Sequence, residues 1–314
     1  MSKTGKVIAV CISEKKGTQK TEVPSIKLVP EWGIEGDAHA GKWHRQVSLL
    51  ALEKIEAFRE RGAEVDFGAF GENIIVKGFD LKNLPVGTLF RIGSALLELT
   101  QIGKECHDHC AIYHQVGDCI MPREGVFTIV LEGGTVKAGD DIELIEAAPD
   151  RAFTAAWITL SDKGAAGERE DKSGPLIGEI LTEAGYNVVE GVLIPDEPAE
   201  LKSQLMRLAD QRQVNVIFTT GGTGFSKRDR TPEATAAVCD RMTPGIAEAI
   251  RAYSMTKTPT AMLSRATAGM RNETLIINLP GSPKAVRECL EFLLHPLEHG
   301  LEIMLGRAGE CARH

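Results

Sequence analysis

The sequence predicts two domains: a mostly-β first half with a closed or nearly closed sheet, then an α/β second half with a mainly parallel sheet. The chain has 314 residues, which suits two domains of about 150 residues each. Short β-rich runs fill the first half, whereas strands alternate with amphipathic helices in the second. The pattern changes near residues 145–153, so we expect domains at residues 1–148 and 149–314.

The first half contains β-rich runs separated by Gly, Asp or Asn turns. Apolar and β-branched residues predict strands over residues 6–12, 72–79, 87–93, 95–102, 125–134 and 140–146. A helical spacing of apolar residues predicts one amphipathic helix over residues 50–62. Strands that outnumber helices to this extent indicate a barrel-like sheet.

The second half alternates strands with helices. Continuous apolar runs predict strands over 153–160, 186–194, 215–222 and 274–281. Helical periodicity predicts helices over 173–185, 199–211, 244–254 and 283–305. This alternation is typical of a parallel sheet that is covered by helices on both faces.

Composition excludes several classes of function. The net charge is −8, from 36 Lys and Arg against 44 Asp and Glu, and neither half has the basic field that nucleic-acid binding needs. No apolar run reaches the roughly 18 residues of a membrane span, and no secretory signal begins the chain. Seven irregularly spaced cysteines do not indicate a disulfide framework. We therefore expect a soluble cytoplasmic protein without nucleic-acid or membrane partners.

A glycine-rich loop gives the strongest chemical signal. The strand over 215–220 leads into Gly221, Gly222, Thr223 and Gly224, and a helix follows with Thr231 as its N-cap and Pro232 in its first turn. Glycines at the carboxyl end of a strand allow backbone amides to approach an anion. The spacing matches neither the dinucleotide-binding nor the P-loop pattern. The loop is either an anion cradle or a turn that needs glycine for packing alone.

Three other segments favour the anion cradle. Residues 159–175, 193–197 and 279–285 each place Ser, Asp or Gly after a predicted strand. Because parallel strands end at the same edge of their sheet, we expect the four loops to form one crevice.

Two aspartates in these loops suggest a metal site. Asp196 follows one strand and Asp229 lies in the glycine-rich segment, so they could share Mg²⁺ with bridging phosphates. Alternatively, Asp196 is a turn residue after Pro195, and Asp229 is a surface charge between Arg228 and Arg230.

Six motifs follow one another in the second half: SD…DKSGP, IPDE, TTGGTGFSKRDRTPE, RAYS, AMLSRATAG and LIINLPGSPKAVRE. In this order they resemble the MogA and MoaB family of molybdopterin adenylyltransferases, over residues 152–306. The resemblance implies adenylyl transfer from Mg-ATP to the terminal phosphate of molybdopterin, with release of pyrophosphate. It also implies a homo-oligomer, either a trimer or a hexamer, and a molybdate-insertion protein as a partner. It does not decide between the MogA and MoaB branches.

The resemblance also implies site residues. Asp196 and Asp229 match the family's acidic functional positions, and they would be the catalytic and Mg²⁺-binding residues. The positions that match substrate- or nucleotide-binding residues are Ser161, Asp162, Asp171, Ser173, Thr220, Gly221, Gly222, Thr223, Gly224, Ser254, Gly281 and Ser282. Amides, hydroxyls and metal-binding carboxylates suffice for this chemistry, because phosphoryl transfer needs positioning and charge neutralisation rather than a covalent nucleophile.

The first half resembles the MOSC domain over residues 5–146, through its Gly36-Asp37, Gly71-Glu72-Asn73 and Gly133-Gly134-x-x-x-x-Gly139-Asp140 landmarks. This resemblance implies a β-barrel in which one cysteine accepts sulfur or contacts the molybdenum cofactor. Cys106 matches that position and would be the catalytic thiol. A cysteine desulfurase is then the implied partner.

The cluster around Cys106 has two interpretations. Cys106 and Cys110, with His107, His109 and His114, offer enough donors for zinc. A reactive Cys106 thiol beside imidazoles is the favoured interpretation, since a nearby His⁺ lowers a thiol pKa.

Arg45 is expected to meet an anionic phosphate of the pterin. For the whole chain, the alternative to an enzyme is a carrier that binds molybdopterin without turnover.

Overall fold

The computed structural model describes residues 4–104, 118–145 and 151–307. The chain divides into two compact units, Met1–Ala148 and Pro149–His314. Cys106 and Cys110, together with their neighbouring histidines, lie outside the described residues.

The first unit is a β-barrel. Among its described residues, seven strands pair in a ring, in the order β1, β11, β7, β8, β9, β5, β6 and back to β1, and a small sheet of β10, β3 and β4 accompanies them. The expected barrel is confirmed. The strands are β1 Thr4–Ile12, β2 Thr21–Val23, β3 Ser25–Val29, β4 Gly33–Ile34, β5 Val47–Ala51, β6 Ile74–Lys77, β7 Leu89–Ile92, β8 Ala95–Ile102, β9 Val126–Glu132, β10 Gly134–Lys137 and β11 Asp141–Ile145. The helices are α1 Leu52–Arg59 and α2 Met121–Glu124, with a 3₁₀ turn at Leu81–Asn83.

The strand β5 corrects one sequence expectation. Residues 50 and 51 were expected in a helix, but they end β5, and α1 begins at Leu52. Leu49 and Ala51 pack in one hydrophobic cluster, whereas Leu50 packs in a second cluster with Ile55 of α1. Because both faces of β5 are buried, its sequence lacks the apolar–polar alternation that distinguishes a strand from a helix.

The second unit has a mixed sheet in the order β13, β12, β14, β17, β16, β15. The first four strands pair in parallel, and β16 and β15 pair antiparallel at one edge. The strands are β12 Thr154–Leu160, β13 Asn187–Ile194, β14 Val216–Thr220, β15 Arg241–Met242, β16 Ala268–Arg271 and β17 Thr274–Leu279. The helices are α3 Asp162–Ala165, α4 Ser173–Glu183, α5 Pro198–Met206, α6 Thr231–Val238, α7 Pro244–Met255 and α8 Pro283–Met304, with a π turn at Arg207–Gln211 and a 3₁₀ turn at Pro259–Leu263.

Alternating residues of the central strands fill two hydrophobic cores. Val216 and Phe218 of β14 pack in a core with residues of α4, α7 and α8. Ile217, between them, packs in a second core with residues of α5 and α6. Since successive side chains of a strand point to opposite faces, the two cores lie on opposite faces of the sheet.

The longest helix, α8, is amphipathic. Leu290, Leu297 and Leu301 are buried, whereas Lys284 and Arg287 are exposed. Among the described residues, no helix combines the length and the apolar character needed to cross a membrane.

Candidate functional site

The carboxyl ends of β12, β13, β14 and β17 meet at a cavity of about 820 Å³. Loops that follow all four strands contribute to its wall. The sequence-predicted residues that line the cavity are Ser161, Asp171, Ser173, Asp196, Thr220, Gly221, Gly222, Asp229, Gly281 and Ser282.

Four other predicted residues of this unit are outside the cavity lining, as far as the described residues show it. Asp162 lies next to the cavity, where its backbone N–H donates to Asp196 Oδ2 over 3.0 Å. Thr223 and Gly224 continue the glycine-rich loop. Ser254 lies on α7, and its Oγ is 3.7 Å from Cys289 Sγ on α8. Arg45 belongs to the first unit.

The glycine-rich loop requires glycine at two positions. Gly221 and Gly222 have φ angles of 100° and 63°, which L-residues with a side chain rarely adopt. A Cβ at Gly221 would lie 2.3 Å from the Leu160 carbonyl oxygen, and one at Gly222 would lie 2.3 Å from Thr231 Oγ1. The loop therefore packs closely against β12 and the start of α6.

Thr231 holds the back of this loop. Its Oγ1 donates to the Gly221 carbonyl oxygen over 2.9 Å, and its backbone N–H donates to the Gly222 carbonyl oxygen over 3.1 Å. The expected N-cap role of Thr231 is wrong, because Thr231 is the first helical residue and its hydroxyl donates instead of accepting. The signal for the helix start was correct, with Pro232 in the first turn.

The front of the loop is a set of free donors. Within the described residues, the backbone N–H groups of Gly222, Thr223 and Gly224 have no recorded hydrogen-bond acceptor. Successive N–H groups in a loop with left-handed glycines form a concave site for anions. We call residues 221–224 the anion cradle.

Arg265 is an important contact of the cradle that sequence reasoning did not identify. Its backbone N–H donates to the Thr223 carbonyl oxygen over 3.0 Å, and its Nε donates to the Gly224 carbonyl oxygen over 2.7 Å. A terminal nitrogen of its guanidinium donates to the Asp229 carbonyl oxygen. The only sequence signal was its presence in the AMLSRATAG segment, 41 residues beyond Gly224.

Asp196 and Asp229 lie beside the cradle. Asp196 Oδ1 is 3.5 Å from the position that a Cβ at Gly222 would take, and Asp229 Oδ2 is 2.9 Å from the corresponding position at Gly224. Burial raises the pKa of Asp196, and the nearby charges of Asp162 and Asp229 raise it further, against Arg228 and a backbone hydrogen bond. Accumulated negative charge of this kind favours a cation or a proton at the site.

Each of these carboxylates keeps one oxygen without a recorded hydrogen bond in the described part of the chain. Asp196 Oδ2 accepts from the Asp162 backbone, and Asp229 Oδ2 accepts from the Ser226 backbone over 2.9 Å. Asp196 Oδ1 and Asp229 Oδ1 remain available. No group of three or more His, Cys, Asp and Glu side chains among the described residues could hold a metal ion. The two available oxygens of Asp196 and Asp229 suit Mg²⁺, because Mg²⁺ commonly takes one or two carboxylates and completes its shell with substrate oxygens.

Positive side chains also surround the cavity. Arg169 and Lys172 line it, and Arg169 donates to Ser161 Oγ over 2.9 Å. Arg228 bridges the Asp162 and Glu197 carboxylates at 2.7 and 2.8 Å. Hydrogen bonds from Arg228 are the main cause of the lowered pKa of Asp162. These basic residues carry no sequence signal of a role, because nothing in their spacing separates them from ordinary surface charges.

The first unit holds a buried ion pair at the Gly36-Asp37 landmark. Lys20 Nζ lies 2.5 Å from Asp37 Oδ2, and the two side chains are 2 % and 0 % exposed. Backbone N–H groups of Ser13 and His39 and the side-chain amide of Asn73 also donate to the Asp37 carboxylate. The pair therefore joins four separate segments of the barrel.

A second buried carboxylate, Glu72, lies beside this pair. It accepts backbone hydrogen bonds from Gly68 and Phe70 at 2.8 and 3.0 Å, and it is 0 % exposed. Burial raises its pKa to about 7, against the opposing effect of these hydrogen bonds and of the Lys20 charge.

Glu72→Gln is expected to flatten the pH dependence of the first unit's stability. Between the ordinary pKa of 4.5 and the folded pKa of about 7, the folded state binds more protons than the unfolded state. The contribution of Glu72 is therefore fully present below pH 4.5 and is lost as the pH rises through 7. In the wild type, the free energy of unfolding of the first unit should fall by about 2 to 3 kcal/mol across this pH window. Urea unfolding, followed by hydrogen–deuterium exchange of first-unit peptides, measures this fall.

The exposed Glu64 provides the control for this measurement. Glu64→Gln should keep the wild-type slope of stability against pH. A Glu72→Gln protein that also keeps this slope would show that Glu72 titrates normally.

Two family profiles match the chain. The family described as "Probable molybdopterin binding domain" matches residues 156–299, and the MOSC domain matches residues 36–143. Each match falls within one of the two structural units.

Two curated relatives and one solved structure are similar to part of this chain. The molybdopterin adenylyltransferase of Helicobacter pylori is 43 % identical over 151 residues, which cover 48 % of this chain and 86 % of that protein. The molybdopterin adenylyltransferase of Escherichia coli K12 is 43 % identical over 136 residues, which cover 43 % of this chain and 70 % of that protein. The crystal structure of the molybdopterin biosynthesis enzyme MoaB from Thermus thermophilus has 47 % identity and a TM-score of 0.47, and the match covers 49 % of this chain and 97 % of that one.

Proposed function

The chain belongs to the molybdopterin adenylyltransferase family, and we propose that its second unit transfers the adenylyl group of Mg-ATP to the terminal phosphate of molybdopterin. It is a nucleotidyltransferase of molybdenum-cofactor biosynthesis that also carries a MOSC domain. One observation carries the proposal: the free backbone amide of Gly222 and two carboxylates with available oxygens line a single cavity, and the free amides of Thr223 and Gly224 continue the same loop.

The proposed reaction is a displacement at phosphorus. An oxygen of the molybdopterin phosphate attacks the α-phosphorus of ATP, and a new P–O bond forms. The bond between the α-phosphorus and the oxygen that bridges to the β-phosphate breaks, and pyrophosphate leaves with that electron pair. No protein nucleophile is needed, so the residues act by binding and orienting the two phosphates.

Residues of the cavity and of the adjoining anion cradle would perform these tasks. The N–H groups of Gly222, Thr223 and Gly224 would bind phosphate oxygens, because amides held in place stabilise negative charge without reorganising. Asp196 and Asp229 would hold Mg²⁺, which neutralises phosphate charge when it is bound. The arrangement supports a role for both aspartates in catalysis.

The start of α4 supports substrate positioning. Asp171 Oδ1 accepts from the backbone N–H groups of Ser173 and Gly174 at 2.9 and 3.0 Å. Ser173 Oγ donates to the Gly281 carbonyl oxygen over 2.9 Å, so this turn is joined to the loop after β17. We propose that Asp171, Ser173, Gly281 and Ser282 shape one wall of the substrate site, and Ser254 is retained as a substrate-binding prediction.

The test is incubation of the full chain with molybdopterin and Mg-ATP. Adenylylated molybdopterin and pyrophosphate should appear in equal amounts. Tight molybdopterin binding without either product would identify a carrier and overturn the proposal. Light scattering of the same sample measures the oligomeric state, for which a trimer or a hexamer is proposed.

We further propose that the first unit binds or sulfurates the cofactor through Cys106. Support comes from the end of β8, which leads towards Cys106 in sequence. Gln101 Nε2 donates to the Gly103 carbonyl oxygen over 2.7 Å, and Gln101 Oε1 is 2.8 Å from His44 Nε2. The neighbouring Arg45 guanidinium lies 4.8 Å from the Trp43 ring centre, where its charge could meet a pterin phosphate.

Two cysteine variants test this second proposal. Cys106→Ala should block persulfide formation or cofactor capture, and Cys110→Ala should leave it intact. The reverse result would assign the thiol chemistry to Cys110. Stoichiometric zinc in the purified protein, lost in both variants, would show that the cluster is a metal site.

A further inference from the structure

Arg265 contacts the glycine-rich loop at three backbone carbonyl oxygens, those of Thr223, Gly224 and Asp229. We propose that Arg265 is the positioning residue that fixes the Gly224 end of the anion cradle and orients Asp229. The inference rests on the proposed function for its catalytic consequences, but the shape of the cradle can be tested without catalysis.

The planar peptide unit links the bonds of Arg265 to the direction of the loop's N–H groups. In a trans peptide, the carbonyl and the N–H that share one plane point in opposite directions. Arg265 holds the carbonyl oxygens of Thr223 and Gly224, and the N–H groups in those same peptide planes belong to Gly224 and Phe225. Both N–H groups therefore point away from Arg265, and the Gly224 N–H, which belongs to the anion cradle, is left to donate to a bound anion.

Asp229 closes a turn that Arg265 joins to the cradle. Its backbone N–H donates to the Ser226 carbonyl oxygen, and its carboxylate accepts from the Ser226 N–H, so residues 226–229 form a closed turn. The Arg265 guanidinium joins this turn to the cradle, because it holds the carbonyl oxygens of Gly224 and Asp229 together. Displacement of the guanidinium would move the cradle and the Asp229 carboxylate relative to each other.

The bonds of Arg265 depend on its being an arginine. Only a guanidinium presents several donors in a fixed plane, so one side chain can hold two carbonyl oxygens and a carboxylate at once. The carboxylate is that of Glu233 on α6, which lies beyond the turn. A lysine has one nitrogen at the end of a flexible stem, so it could replace part of these bonds and none of their fixed geometry.

Arg271 provides a matched control. It terminates β16, a few residues beyond Arg265, and donates to the Val238 carbonyl oxygen and to the Asp210 carboxylate. It therefore makes the same kinds of bonds at comparable burial, with side chains 23 % and 33 % exposed for Arg271 and Arg265. Its bonds do not involve the glycine-rich loop.

The first experiment measures pyrophosphate binding by calorimetry with Mg²⁺ present. Arg265→Ala should raise the Kd of inorganic pyrophosphate at least about 10-fold, Arg265→Lys should raise it less, and Arg271→Ala should leave it unchanged. If the wild type, Arg265→Lys and Arg265→Ala all bind pyrophosphate with the same Kd, the proposal is overturned. An equal loss in Arg271→Ala would also overturn it, because the effect would then be a general loss of stability. If Arg265→Ala does not fold, Arg265→Lys decides between these outcomes.

The second experiment measures turnover. Arg265→Ala should lower kcat about 100-fold and raise the Mg²⁺ concentration for half-maximal activity, since Asp229 is displaced. Arg265→Lys should restore part of kcat. A normal kcat and Mg²⁺ requirement in Arg265→Ala would contradict the orientation of Asp229. If the wild type makes no adenylylated product, the proposed function fails, and the pyrophosphate measurement still decides the role of Arg265.

Discussion

Asp229→Asn should lower kcat/KM for adenylyl transfer by about 10²- to 10³-fold and leave the chain folded. The amide keeps an oxygen that can accept from the Ser226 N–H, so the turn over residues 226–229 should survive. It lacks the negative charge that Mg²⁺ and its phosphates require at this position. Steady-state formation of adenylylated molybdopterin measures the loss, and thermal unfolding confirms the fold.

Asp240→Asn is the matched control for this prediction. Asp240 also accepts a backbone N–H, from Asn272 over 2.8 Å, but it lies away from the cavity lining. Its activity should equal that of the wild type. Near-normal turnover by Asp229→Asn would show that the metal assignment is wrong.

A double variant tests whether the two aspartates act on one ion. If Asp196 and Asp229 hold the same Mg²⁺, either substitution alone should remove most of the rate acceleration that this ion provides. Asp196→Asn combined with Asp229→Asn should then be about as slow as the slower single variant, since residues that act as a unit are not additive. Fully additive losses would indicate two independent roles.

The convergence of the four loops could be predicted because it depends on topology alone. Strand–helix alternation implies parallel strands, and parallel strands end at one edge, so residues after β12, β13, β14 and β17 had to be neighbours. The glycines at 221 and 222 were informative for a related reason, because their positive φ angles are a local property of the turn.

The partners of this site could not be predicted in the same way. Arg265 bonds to Gly224 across 41 residues, and Arg228 bonds to Asp162 across 66 residues. Such contacts depend on how the intervening elements pack, and a single arginine carries no periodic signal. The buried pair of Lys20 and Asp37 is a similar case, since Lys20 lies in a run of polar and basic residues that resembles a solvated turn.

The buried pair predicts the largest effect on stability. Lys20→Met should destabilise the first unit by about 3 to 5 kcal/mol, because it leaves the Asp37 carboxylate buried without its counter-charge. Urea unfolding with hydrogen–deuterium exchange of first-unit peptides measures the change. Lys27→Met is the control: Lys27 pairs with Glu35 at 2.7 Å, but both side chains are more than half exposed. That substitution should change stability little, since water screens an exposed pair.

Adding Asp37→Asn to Lys20→Met separates the charge from the hydrogen bonds. The asparagine can still accept a hydrogen bond from the backbone of Ser13 or His39 but carries no charge. The double variant should therefore be less destabilised than the sum of the two single variants.

Burial alone would raise the pKa of Asp37, but hydrogen bonds from His39 and Lys20 hold it well below its usual range. The contribution of Asp37 to the stability of the first unit is thus present above its ordinary pKa, and it is lost as the pH falls towards the pKa of Asp37 in the folded state. If the two substitutions were additive at neutral pH, Asp37 would be stabilised by its hydrogen-bond donors alone, and the charge of Lys20 would contribute nothing to the barrel.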